Sequence, residues 1–148
     1  MQVDFYQLTQ STAEQAVVQL AANTLAAGQC LLVVHPDVGL RERLGQALWS
    51  APAAKGAERF LANGLAGGAH DARQPILLSD RVEAANGAKF LVLADGQWRE
   101  GEGFDRVFFV FDGSTIENAR ACWRMLGERE GLERNYWKQE SGRWVKAA

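Results

Sequence analysis

The feature that most constrains this chain is the unbroken apolar run Cys30-Leu31-Leu32-Val33-Val34, which leads straight into His35-Pro36-Asp37. A strand with one wet face alternates apolar and polar residues. A strand with no polar position has to be covered on both faces, as in a parallel sheet sandwiched between helices. Three later segments, PILLS (75–79), KFLVLAD (89–95) and DRVFFVFDG (105–113), share the pattern, each apolar and ending at or near an aspartate. The segment VDFYQL (3–8) reads as a further short strand, rich in aromatics. Between it and the first apolar run, STAEQAVVQLAANTLAAG (11–28) carries a helix signature. Ser11 or Thr12 caps it, Glu14 falls in the first turn, Gly28 ends it, and Ala13, Val17, Leu20, Ala21 and Leu25 recur at helical spacing. Asp37 is placed to cap a second helix, VGLRERLGQALW (38–49), with Leu40, Leu44 and Leu48 on one side.

Strand, helix, strand, helix implies right-handed crossovers and parallel pairing. The expected fold is therefore α/β: a three-layer sandwich with a mostly parallel central sheet. A length of 148 residues suits a single domain, 1–148, with a substantial core. A last helix is expected from near Ser114, followed by an extended piece, NYWKQESGRWVK (135–146), with a Ser-Gly turn. The middle, SAPAAKGAERFLANGLAGGAHDARQ (50–74), is too long for a simple connector. Its Phe60, Leu61 and Leu65 either fold back onto the core or face a partner.

Composition narrows the function classes. No run is long and apolar enough to cross a bilayer. The N-terminal MQVDFYQLTQ lacks the pattern of a secretory signal, so the expected compartment is the cytoplasm. Cys30 and Cys122 are far apart and read as free thiols, and with His35 and His70 they make no metal-ligand spacing. No metal and no cofactor are expected. The net charge of −2 is unevenly spread: from Asn118 onward seven basic residues face four acids, giving +3 there and −5 elsewhere. A basic end on an acidic protein suits a small acidic partner better than a long phosphate backbone.

Catalytic signatures are missing. GLAGGAHD (64–71) lacks the Gly-Lys-Ser/Thr of a P-loop, GEGFDR (101–106) precedes a strand instead of following one, and no Gly-x-Ser-x-Gly elbow occurs. Asp37, Asp80, Asp95 and Asp112 stand at strand ends where they would bind Mg²⁺ if they converged, but each also stands where a turn or helix cap favours aspartate. No lysine or histidine is expected to complete an acid–base set with them. A small nucleotide- or phosphate-binding α/β enzyme using these aspartates is the principal rival reading. Direct binding of single-stranded DNA, prompted by five tryptophans and the basic end, is another.

The segment ENARACWRMLGERE (117–130) carries the most specific surface. Arg120, Trp123 and Arg124 lie at i, i+3 and i+4 and share one patch of a helix. On a helical wheel Ala119 and Leu126 centre the apolar stripe, with Cys122 on one flank and Trp123 on the other. Trp123 is then either a core-edge residue with arginines snorkelling beside it, or one wall of an apolar pocket with forked donors for carboxylates.

The ordered set FYQL, QALW, FLANGLAGG, QPILLSD, ANGAKFLVLADG, FDRVFFVFDG and ARACWR resembles the chi subunit of bacterial DNA polymerase III, over nearly the whole chain. The resemblance implies an α/β fold like a nucleotide-binding domain and a non-catalytic adaptor of the clamp-loader complex. One surface of such a protein binds the acidic C-terminal tail of single-stranded DNA-binding protein, which ends in an apolar residue with a free carboxylate. Another binds the psi subunit, which connects chi to the clamp loader, and a helicase-like protein competes for it in some bacteria. Carried over by position, the tail-binding site falls on Arg120, Trp123 and Arg124, and the psi-binding surface on Trp49, Phe60 and Leu65. Nucleic acid would be met only indirectly.

Overall fold

The computed structural model describes residues 1–50, 61–141 and 143–148. Its strands are β1 (Gln2–Gln7), β2 (Leu31–Val34), β3 (Asn63–Leu65), β4 (Ile76–Ser79), β5 (Phe90–Leu93), β6 (Arg106–Phe111), β7 (Glu133–Glu140) and β8 (Arg143–Lys146). Its α-helices are α1 (Ala13–Ala26), α2 (Val38–Trp49) and α3 (Ile116–Gly127). All strands join one sheet in the order β3-β4-β2-β5-β6-β1-β7-β8, parallel except for the β7–β8 pair.

The fully apolar runs do what their composition requires. In β2, Leu31 and Val33 face a core shared with Val17, Leu20 and Ala21 of α1 and Leu44 and Leu48 of α2. Leu32 and Val34 face the opposite core, shared with Ala119, Cys122 and Leu126 of α3. Two helices on one face and one on the other make a three-layer α/β sandwich. Burial also holds the Cys122 thiol well above its ordinary value, at about 12, so it remains protonated.

Local signals set the helix ends. Thr12 caps α1 through a capping box with Gln15, and at the other end Gly28 takes φ +78° while Gly28 and Gln29 donate to the carbonyls of Leu25 and Thr24. Ala13 and Leu25, expected on the buried stripe of α1, are only partly covered; Ala16 and Thr24 are buried there instead. Asp37 caps α2 by accepting from the Leu40 amide at 3.0 Å. In α2, Leu44 and Leu48 are buried and Leu40 is half-buried.

The two edges of the sheet differ from expectation. The middle segment contributes β3, a parallel edge strand on β4. It carries only three residues and a central glycine, too little for the alternation that identifies strands. Leu61 is buried, so this greasy residue does fold back onto the core. Residues 135–146 are extended with a turn at Ser141, as the sequence implies, but β7 begins earlier, at Glu133, and runs for eight residues in parallel beside β1 before turning into β8.

A buried carboxylate fastens β7 in place. Asp4 on β1 is fully buried and accepts from Arg106 Nε of β6 at 2.6 Å and Asn135 Nδ2 of β7 at 2.9 Å. A charge in the interior is tolerable only when its lone pairs are occupied in this way. The bonds reach across both neighbouring strands, so they also fix which face of β7 each residue takes.

Candidate functional site

The surface of interest is built by α3 and β7. The loop after β6 turns on Asp112, whose carboxylate accepts from the Ser114 amide at 2.9 Å and the Ser114 hydroxyl at 2.6 Å. Thr115 then begins α3 with its side chain close against Gly96, where a Cβ would stand 2.5 Å from the Thr115 hydroxyl. With φ +71° as well, Gly96 is a position only glycine fills without strain. The N-terminal end of α3 is thus held by the loop that follows β5.

From there the helix turns Ala119, Cys122 and Leu126 inward. Trp123 lies at the edge of the covered stripe, half-buried, with its ring edge-on to Phe5 of β1 at 5.2 Å and to Tyr136 of β7 at 5.7 Å. Arg120 is exposed and pairs with Glu117 one turn earlier at 2.8 Å. Arg124 is exposed and has no carboxylate partner among the described residues. The structure therefore brings Arg120, Trp123 and Arg124 onto one accessible surface, with the indole anchored in aromatic packing.

Three further residues join them, and sequence reasoning placed none of them. Parallel register sets Val3, Phe5 and Gln7 of β1 against Arg134, Tyr136 and Lys138 of β7, so these last three share the α3 side of the sheet. The Arg134 guanidinium lies over the Trp123 ring, 4.1 Å from its centroid, and donates to the Trp123 carbonyl. The Tyr136 hydroxyl donates to Gln7 Oε1 at 2.6 Å. Burial raises the Tyr136 pKa, while nearby Arg120 opposes the rise. Lys138 Nζ is 5.9 Å from the Tyr136 ring centroid. The available signal was the alternation Arg134-x-Tyr136-x-Lys138, legible only once the segment is known to be a strand. The indole is consequently no bare wall, since a flat cation stacks on it. The whole surface offers forked donors and ammonium charge beside aromatic rings, chemistry suited to carboxylates attached to apolar groups.

The second candidate group lies at the far edge of the sheet. Trp49 closes α2 and is 54% exposed; Leu65 ends β3 and is 42% exposed. Both stand free of the core, on the side where α2 approaches β3 closely enough for Asn63 Nδ2 to donate to the Gly45 carbonyl at 3.4 Å. Phe60 lies outside the described residues. From β3 to β7 is six strand spacings, about 29 Å, and α2 and α3 occupy opposite faces.

The strand-end aspartates have local occupations. Asp37 caps α2, Asp112 holds the turn before α3, Asp80 pairs with Arg81 at 3.3 Å and Asp95 takes a two-bond fork from Arg99 at 2.8 Å each. One expectation is corrected here, because a histidine does stand among them. His35 Nδ1 accepts from the Asp37 amide at 3.1 Å. Burial lowers its pKa, against the opposing pull of Asp95 and Asp37. Among the described residues no three of His, Cys, Asp or Glu gather in a group able to hold a metal ion, and no helix is long and apolar enough to cross a membrane.

Comparison with known proteins adds one positive finding. A family model described as DNA polymerase III chi subunit, HolC, matches residues 1–133. No curated protein matches the chain. The match contains Trp49, Phe60, Leu65, Arg120, Trp123 and Arg124, and it stops at the first residue of β7.

Proposed function

The chain belongs to the family of the DNA polymerase III chi subunit, and from that premise we propose that it is a non-catalytic adaptor of the replisome, acting as a single domain over 1–148. Membership makes it an accessory subunit of the polymerase that replicates DNA. The finer reading is that it links the clamp loader, through psi, to the acidic C-terminal tail of single-stranded DNA-binding protein. It meets nucleic acid only indirectly and works in the cytoplasm.

The observation that carries this reading is the α3–β7 surface, where Arg120, Arg124, Arg134 and Lys138 surround the Trp123–Tyr136 pair. An acidic peptide with an apolar, carboxylate-bearing end supplies what this surface lacks. Each well-formed hydrogen bond between arginine and carboxylate contributes about 1.5–3 kcal/mol. Two or three of them with one buried ring suit a weak, fast-exchanging contact. Psi, or a helicase-like competitor, is assigned to Trp49, Leu65 and, by sequence resemblance, Phe60; of these, Trp49 and Leu65 stand at the distant edge. Two exposed apolar side chains there fit a protein partner.

A titration tests the reading: a labelled peptide of aspartates ending in phenylalanine with a free carboxylate, beside Mg-ATP and a single-stranded oligonucleotide. The peptide is expected to bind and the other two to leave the protein unchanged. Binding of Mg-ATP at the strand ends would favour the nucleotide-binding rival. Tight binding of the oligonucleotide alone would favour direct DNA contact.

A further inference from the structure

We propose that Arg134 is a third carboxylate-binding arginine of the tail site, held ready by the Trp123 indole beneath it. This role rests on the peptide-binding reading above and adds a contact from β7, a strand of which the family match covers only the first residue.

Arg99, Arg106 and Arg129 each face a carboxylate of this chain: Asp95 at 2.8 Å, Asp4 at 2.6 Å and Glu100 at 2.7 Å. Arg134 is half-buried and faces none among the described residues. It lies over the indole and donates one hydrogen bond, to the Trp123 carbonyl. A guanidinium carries five N–H donors in a rigid plane. Stacking fixes that plane without using its edges, and the carbonyl occupies one nitrogen. The group is thus oriented before any ligand arrives, with donors left for a carboxylate in the same plane.

Gly127 is the independent observation. It closes the last turn of α3, where a glycine weakens the helix relative to alanine. A Cβ there would stand 2.7 Å from the Arg134 guanidinium carbon and from Nη2. What the glycine supplies is room for the guanidinium to lie between the end of the helix and the indole. The seat is made by three parts of the chain: the missing side chain at 127, the ring at 123 and the strand position at 134. Arg120, whose charge reaches Tyr136, completes the site from the helix, and Lys138 extends it along the strand.

Calorimetry with the full chain and the free-acid peptide, at low and high salt, tests this role. Arg134→Gln is expected to weaken binding about tenfold and to flatten the salt dependence. Arg134→Lys restores the salt dependence and leaves the affinity reduced, because an ammonium cannot fork to a carboxylate while stacked. Gly127→Ala keeps every charge and still weakens binding, by displacing the guanidinium. Wild-type affinity and salt dependence in Arg134→Gln would overturn the proposal. If that variant does not fold, Arg134→Lys and Gly127→Ala decide, and wild-type binding in both overturns it. Loss of binding in Arg120→Ala together with unchanged Arg134 variants removes Arg134 alone; a wild-type protein that ignores the peptide removes the tail site with it.

Discussion

Glu117 and Arg120 hold each other across one turn of α3 at 2.8 Å, with both side chains largely in solvent. The arginine expected to meet the tail therefore already has an acidic partner, one that the peptide must displace. An exposed pair of this kind contributes little to stability. Arg120→Ala is expected to weaken peptide binding about tenfold and to leave the melting temperature nearly unchanged. Glu117→Gln, which frees the arginine, is expected to tighten binding. Calorimetry on the two variants checks both, and a weaker Glu117→Gln complex would mean that the ion pair positions Arg120 instead of occupying it.

Ionic strength should act on this contact moderately. A few charges around one buried ring are screened by salt, yet less steeply than a run of phosphates. Affinity measured from low to high salt is expected to fall steadily, and complete indifference to salt would make the arginines bystanders.

Phe60→Ala and Trp49→Ala are expected to leave the chain folded and to abolish association with psi. Trp49 is more than half exposed, so its truncation removes little from the core. A core phenylalanine would instead cost about 3–5 kcal/mol on truncation. Thermal melts beside a psi pull-down separate the cases, and a large drop in melting temperature for Phe60→Ala would make it a core residue.

The two surfaces should be separable. Trp123→Ala is expected to lose the tail and keep psi, with some loss of stability because the indole packs on Phe5 and Tyr136. Phe60→Ala is expected to do the reverse. Pull-downs of each variant against each partner decide it, and a folded variant that loses both partners would require one shared site. Tethering through psi then raises the local concentration of a weak tail site without any new contact.

Glu100 offers a pH test of how the last turn of α3 is held. It receives a fork from Arg129 at 2.7 and 2.8 Å and a bond from the Trp98 indole at 3.1 Å. These hold its pKa at about 2, against an ordinary 4.5, with the Arg129 bond the main cause. A carboxylate depressed on folding stabilises above its unfolded value and loses that contribution as pH falls toward the folded one. Glu100→Gln is expected to melt below the wild type at neutral pH, with the gap closing between about pH 4.5 and 2. A gap independent of pH would point to packing and not charge.

Much of this architecture was legible because burial on two faces leaves a mark in composition: Leu31 to Val34 has no room for a polar residue, and Asp37 caps the helix it precedes. Arg120, Trp123 and Arg124 were legible because helical spacing alone joins them. For β7, an extended piece from Asn135 with its Ser-Gly turn was legible, but its start at Glu133 and its place beside β1 were not. Glu-Arg-Asn-Tyr-Trp-Lys has few apolar residues, and what makes it a strand is its distant partner β1, through Asp4 and Asn135. Arg134 could not be set over Trp123 without that register. His35 was within reach, two residues before Asp37, but its nearness to Asp95 depends on β2 lying beside β5.

The place of β1 in the sheet has a consequence for biogenesis. β1 lies between β6 and β7, and neither neighbour exists until residues 106–111 and 133–140 have been made. Domains that depend on such distant pairings close late and spend their synthesis with unpaired strand edges. Phe5, which supports the Trp123 ring, waits for α3 and β7 together. A nascent chain that stalls before β7 therefore carries the arginines of α3 with no finished surface to hold them.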